Sequence, residues 1–385
     1  MTQSLLIDYV TNWMAEVPVV WEATHLSEPG MRGVFFDSVP FRGKPTRNFA
    51  WIGLPESATT SQPVPAMILV HGGGGTAFSR WVRWWNEQGY AAIAMDTCGS
   101  MPLPNTGIEG SADWPRHSHS GPPGWGGVDQ LDQPPEDQWT FHAAAGIVRA
   151  HTLLASLPEV DADRIGITGI SWGGFLTSII AGLDPRLRCA MPVYGCGFIH
   201  KSPAWPELSR LTPEQLRFFN ENWDPSALLP KATCPMLWLN GTNDFAYTPP
   251  IWQRSVNATQ GPHQLCLKPR YPHGHIPAAE QARELKTFAN ACLNDNTPLI
   301  KIKPPKLDGS MLSAHYGDER PLRSATLLMT PDSGPWPDRE WHVLPTNIDR
   351  TQNIVSVPLP TDTTAACFSF ISEDWLTATS DVVFP

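Results

Sequence analysis

A serine with glycine two residues away on either side stands where a short apolar, β-branched run gives way to an apolar run of helical spacing. The residues are Gly169-Ile170-Ser171-Trp172-Gly173-Gly174, between Arg164–Ile170 and Phe175–Ala181. A serine on so sharp a bend takes a strained backbone conformation, which is tolerable only if its flanking positions lack bulk. Its hydroxyl then projects from the sheet edge at a helix N-terminus, whose dipole favours negative charge. This is the form of a nucleophile elbow, and it makes Ser171 the expected nucleophile. Because a pentapeptide matches by chance, the chemistry requires companions: donors for an oxyanion, a general base, and a carboxylate to orient that base.

Three stretches offer them. His71-Gly72-Gly73-Gly74-Gly75 follows the apolar run Ala66–Val70. Consecutive glycines let backbone N–H groups converge on one point without side chains in the way. Gly73 and Gly74 are the expected oxyanion donors, with the amide of Trp172 completing the hole. A phosphate-binding loop would need Gly-Lys-Ser/Thr, and Thr76-Ala77-Phe78 supplies no lysine. Asn240-Gly241-Thr242-Asn243-Asp244 follows the apolar Pro235–Leu239 and places Asp244 on a turn after a core strand, although an aspartate there can equally close an Asx-turn. Tyr271-Pro272-His273-Gly274-His275 follows Leu265–Leu267. The glycine after His273 suits a loop crossing the mouth of a site, which favours His273 as base and leaves His275 as the alternative. The His-x-His pair would suit a metal, but no third ligand stands at suitable spacing nearby, so no metal is expected.

The order Ser171, Asp244, His273 is the one associated with α/β-hydrolases and differs from the chymotrypsin and subtilisin orders. From about residue 49 to 293 the chain resembles α/β-hydrolases of the broad group that holds acetyl xylan esterases, dienelactone-hydrolase-like proteins and the catalytic domains of prolyl-oligopeptidase-type peptidases. The four motifs just given carry that resemblance. They are specific for the superfamily and only weakly so for substrate. One departure matters: dienelactone hydrolases use a cysteine nucleophile, whereas position 171 is serine.

Composition narrows the classes. The chain has 385 residues and a net charge of −10 with no basic block, which argues against a nucleic-acid partner. Seven cysteines without Cys-x-x-Cys spacing, several in expected core strands (Cys189, Cys234, Cys266), read as reduced core residues. No cofactor is implied. No signal peptide and no bilayer-spanning segment is evident, so no membrane partner and a cytoplasmic location are expected. The pattern does not address oligomeric state.

The elements that must position these residues read as an α/β-hydrolase fold, a mainly parallel sheet with helices on both faces, plus a small C-terminal β-sandwich-like domain. Residues 1–48 read as an N-terminal extension with a short helix over Leu5–Glu16. Residues 49–297 read as the catalytic domain and 298–385 as the β-domain. Strands are expected at Phe49–Leu54, Ala66–Val70, Tyr90–Met95 and Cys189–Tyr194, with helices at Ser79–Gln88, Gln138–Ser156 and Ala278–Cys292. Two insertions, near 97–137 and 195–230, interrupt the alternation. The first is rich in Gly, Pro, His and Trp, and reads as an ordered lid with Trp114 or Trp125 lining a substrate pocket. Packing of both indoles beneath the loop is the plainer alternative. Trp336, Trp341 and Trp375 of the β-domain suggest a carbohydrate-stacking surface, with core packing again the competing reading.

The function expected is a serine carboxylic-ester hydrolase acting through an acyl-enzyme. The resemblance and the tryptophan-rich insertions point to acetylated carbohydrate or other small-acyl esters as the small-molecule partner. The alternatives are a peptidase or amidase resembling the prolyl-oligopeptidase group, and a non-catalytic carbohydrate-binding protein on the same scaffold. About fifty residues before the core are too few for the propeller of the former.

Overall fold

A computed structural model describes residues 4–102, 114–124, 126 and 128–385. The strands that the site depends on are β1 (Val20–Glu28), β2 (Met31–Phe41), β3 (Lys44–Gly53), β4 (Val64–Val70), β5 (Ala91–Met95), β6 (Val160–Ile170), β7 (Cys189–Val193), β8 (Met236–Gly241) and β9 (His263–Lys268). β5, β7 and β8 are buried at every position, and so is β4 after Val64. Runs apolar on both faces belong to parallel strands covered on both sides. Accordingly β5-β4-β6-β7-β8-β9 form a continuous parallel array, with Ile68 of β4 registered between Ile93 of β5 and Ile167 of β6. The chain moves from β4 to β5 on one side and returns to β6 on the other. A crevice opens beyond the carboxyl ends of strands at such a reversal, and ligands bind there.

The helices are α1 (Leu6–Ala15), α2 (Ser79–Glu87), α3 (Trp139–Ala155), α4 (Trp172–Leu183), α5 (Pro213–Asn222), α6 (Pro249–Ala258), α7 (Pro277–Glu280) and α8 (Arg283–Leu293). α2 buries Trp81, Val82 and Trp85 on one stripe. α3 is apolar nearly all round and is buried from Trp139 to Val148. α1 covers it, with Trp13 edge-on to Phe141 at 5.0 Å. The single helix expected over Ala278–Cys292 is two: Gln281 interrupts it with φ −121°, outside helical geometry.

The division of the chain differs from expectation at its N-terminal end. Residues 1–48 are not an extension: β1 and β2 pair antiparallel with each other, β2 with β3, and β3 with β5, so all three belong to the main sheet. β3 itself crosses the expected boundary at 48/49. The C-terminal segment forms the expected antiparallel sheets, built from β10 (Lys306–Asp308), β11 (Met311–His315), β12 (Leu322–Thr330), β13 (His342–Pro345), β14 (Asn347–Asp349), β15 (Ile354–Pro358), β16 (Ala365–Ser372) and β17 (Thr377–Thr379). One sheet runs β10-β11-β15-β14, and Tyr316 beside it packs 5.6 Å from Phe370 of the other. That other sheet, β17-β16-β12-β13, does not stand apart. β17 pairs with β9 at Thr379↔Leu265, which makes a thirteen-stranded sheet among the described residues.

The described part of the first insertion holds only short 3-10 turns, at Val128–Gln130 and Pro135–Asp137, and a bridge between Ser100 and Arg116. The second holds 3-10 turns and α5, which Thr212 and Gln215 close with a reciprocal capping box. The described cysteines are all free. No helix among the described residues is long and apolar enough to cross a membrane, and none of their His, Cys, Asp and Glu side chains cluster in threes that could hold a metal.

Candidate active site

Ser171 directly follows β6 and precedes α4, with φ 57° and ψ −117°. The bend is enforced by close backbone approach: a Cβ on Gly169 would stand 2.1 Å from the carbonyl oxygen of Gly173, and one on Gly173 would stand 2.0 Å from that of Val70. The Ser171 amide is tied to the carbonyl of Val193 at 3.0 Å, so the nucleophile's backbone is fixed to the end of β7.

His273 lies on the loop between β9 and α7, and its Nε2 is 2.8 Å from Ser171 Oγ. Its Nδ1 is 2.7 Å from Asp244 Oδ2. Asp244 is 2% exposed, and its other oxygen accepts the amides of Ala246 and Tyr247 at 2.9 and 2.7 Å. Two amides and one imidazole N–H thus compensate a buried carboxylate that would otherwise be costly. With Nδ1–H committed to Asp244, Nε2 is left as the acceptor facing the serine hydroxyl, the orientation that proton abstraction needs. His275 does not reach Ser171: its Nε2 accepts the Gly72 amide at 2.8 Å, and its Nδ1 faces Glu280 at 3.0 Å.

The glycine loop packs directly on the nucleophile. A Cβ on Gly72 would lie 3.1 Å from Ser171 Cβ, and Gly73 and Gly74 follow it directly in the chain. Gly74 has φ 70°, a left-handed turn that suits glycine. Trp172 opens α4, so its amide sits at the positive end of that helix. Its indole packs edge-on against Phe175, Trp205 and Trp139, at 4.9, 4.9 and 6.0 Å. Trp114 is half-buried and donates its Nε1–H to the Gly74 carbonyl at 3.0 Å, so it braces the glycine loop. Trp125 lies outside the described residues.

Sequence reasoning missed the aromatic residues around the base. Tyr194 stacks on His273 at 4.4 Å, and its hydroxyl donates to the Gly274 carbonyl at 2.7 Å. Phe245 lies 4.8 Å from the same imidazole and is 55% exposed. Of the two only Phe245 gave a usable signal, since it follows the acid directly. Burial drives the Tyr194 phenol well above its ordinary pKa, which keeps it a neutral donor.

Comparison with known proteins follows the same lines. A family model described as acetyl xylan esterase matches residues 31–200, and one for the prolyl oligopeptidase family matches residues 136–295. The acetyl esterase Axe7A of Xylanibacter ruminicola is 28% identical over 157 residues, 38% of this chain and 35% of its own length. A probable dipeptidyl-peptidase 5 of Emericella nidulans is 27% identical over 172 residues, 42% of this chain and 20% of its own. The chain thus spans about a third or less of the curated relatives it matches. Among solved structures, an acetyl xylan esterase from Paenibacillus sp. R4 superposes with a TM-score of 0.59 at 24% identity, over 76% of this chain and 96% of its own. The acylaminoacyl peptidase of Pyrococcus horikoshii superposes with a TM-score of 0.51 at 17% identity, over 70% of this chain and 43% of its own.

The fold is that of the α/β-hydrolases. In this fold the elbow, the glycine loop and the imidazole loop all lie beyond the carboxyl ends of β6, β4 and β9, on the edge where the topology opens its crevice. The arrangement can activate a hydroxyl and receive its proton.

Proposed function

We propose that this α/β-hydrolase is a serine carboxylic-ester hydrolase acting through an acyl-enzyme, on acetylated carbohydrate or other small-acyl esters. The observation that carries the reading is the pair of short contacts that join Asp244, His273 and Ser171, at 2.7 and 2.8 Å. His273 takes the hydroxyl proton as Ser171 Oγ attacks the ester carbonyl. The amides of Gly73, Gly74 and Trp172 receive the oxyanion, where the loss of one donor costs about 3–4 kcal/mol of barrier. The imidazolium then protonates the departing alkoxide. Water attacks the acyl-enzyme by the same route, with His273 again as base. The acetyl esterase names among the relatives and the indole-rich surroundings of the elbow support the substrate class.

The match to the prolyl oligopeptidase family model favours peptidase or amidase action as the second reading. Turnover of p-nitrophenyl acetate set against aminoacyl anilides separates the two. For the nucleophile, an acyl-ester panel from acetate to long chains and acetylated sugars is run on wild type and Ser171→Ala. The variant is expected to lose about four orders of magnitude or more in kcat, together with labelling by a fluorophosphonate. Full activity in the variant would remove Ser171 from the mechanism.

A further inference from the structure

Gly72, first in the glycine run, is held through both of its backbone polar groups by histidine rings. Its N–H donates to His275 Nε2 at 2.8 Å. Its carbonyl lies 2.8 Å from His71 Nδ1 and also accepts the Gly75 amide at 3.1 Å. Each ring's tautomer follows from its partners. His71 Nε2 accepts the Thr97 amide at 2.9 Å, so its proton is on Nδ1 and points at Gly72. His275 Nε2 accepts from Gly72, so its proton is also on Nδ1 and points at Glu280 Oε1 at 3.0 Å. Glu280 is 1% exposed and is held in turn by Arg80, through Nη2 at 2.7 Å and Nε at 3.0 Å. The rings of Phe78 and Trp81 wall His275 at 4.7 and 5.7 Å.

From this geometry we infer that His275 is a positioning residue for the anion-binding loop: held as the neutral Nδ1–H tautomer by Glu280 and Arg80, it fixes the Gly72 peptide and thereby aims the amides that follow. The inference rests on the proposed ester hydrolysis, in which those amides receive the oxyanion. An imidazolium at position 275 would turn an N–H toward the Gly72 N–H, and the grip would fail. Burial opposes that state by lowering the pKa of His275, against the pull of Glu280. The second histidine of the His-x-His pair is therefore assigned to the oxyanion, as the first is to the hydroxyl.

The test compares His275→Gln with His275→Asn. Both are neutral amides, but only glutamine carries its acceptor out to the place of Nε2. With p-nitrophenyl acetate, His275→Gln should keep kcat within about fivefold of wild type, whereas His275→Asn should lose about a hundredfold, the scale of a displaced oxyanion donor. KM should stay within about twofold in both. Equal kcat in the two folded variants, or a loss confined to KM, overturns the inference. Nitrogen-15 NMR of the wild-type histidines is independent of how the variants fold. It should find His275 protonated at Nδ1 alone at neutral pH, and protonation at Nε2 overturns the assignment. If wild type turns over no ester, the proposed function fails, and the tautomer measurement still decides the grip on Gly72.

Discussion

His117 is 8% exposed, and both its ring nitrogens are buried without a hydrogen-bond partner. It packs edge-on against Phe35 at 5.0 Å. Burial lowers its pKa to about 4, against the pull of Asp96. The sign of the consequence follows from linkage. The unfolded ring takes up a proton as the pH drops through 6.5, while the folded ring stays neutral until about 4, so stability falls across that window and levels off below it. At full effect the loss is on the order of 3 kcal/mol. His117→Phe should reduce the acid sensitivity, read as urea midpoints at pH 7 and pH 4.5. Parallel decline in variant and wild type would show that the ring is not responsible. At this scale much of the candidate site was legible in the chain, because Ser171, Asp244 and His273 each stand on the turn or loop that follows a core strand, where only a few residue types fit. The role of His275 was not legible, since two histidines one residue apart are alike until the partners of each ring nitrogen are known. Tyr194 escaped notice because a tyrosine ending a core strand resembles any other buried aromatic.

Asn243 shows how one element holds another. It sits beside Asp244 on the loop after β8, and its side-chain amide donates to the carbonyl of Arg339 at 2.7 Å, with those of Pro337 and Trp336 at 3.1 and 3.2 Å. Arg339 stacks on Trp336 at 3.6 Å, so the segment before β13 is a compact pad against the loop that carries the acid. Asn243→Ala leaves those carbonyls short of a donor and should cost about 1–3 kcal/mol in urea unfolding, with faster proteolysis near residues 331–341. An unchanged cleavage pattern would mean that the pad is held by other contacts. The parallel strands were legible as elements because burial on both faces writes continuous apolar runs such as Met67–Val70. β1 and β2 were not, because strands near a sheet edge keep polar residues on one face and their partners lie outside the local window.

The C-terminal segment belongs to the mechanics of the whole molecule. Residues 298–385 read as a separate β-domain, whereas pairing across Thr379↔Leu265 is non-local and leaves no mark in either strand. Thr379 Oγ1 also accepts the Leu267 amide at 3.1 Å. Removing residues 298–385 would leave β9 as an unprotected edge and strip cover from the buried Cys266 and Leu265. The fragment 1–297 is therefore expected to aggregate or to unfold without cooperativity. A soluble fragment with a sharp urea transition would show that the hydrolase core is self-sufficient.

Ser171 at φ 57°, Tyr194 at φ 33° and Arg270 at φ 45° lie just past the ends of β6, β7 and β9. Side chains other than glycine resist this left-handed region, at a cost of about 1–3 kcal/mol for each such residue. The chain thus gathers conformational penalties along the rim where it presents its reactive groups, and the tightly packed sheet beneath must outweigh them. Changes that make the protein hardier will be easiest to find far from that rim, and relaxing the rim itself would yield a tougher but chemically idle molecule.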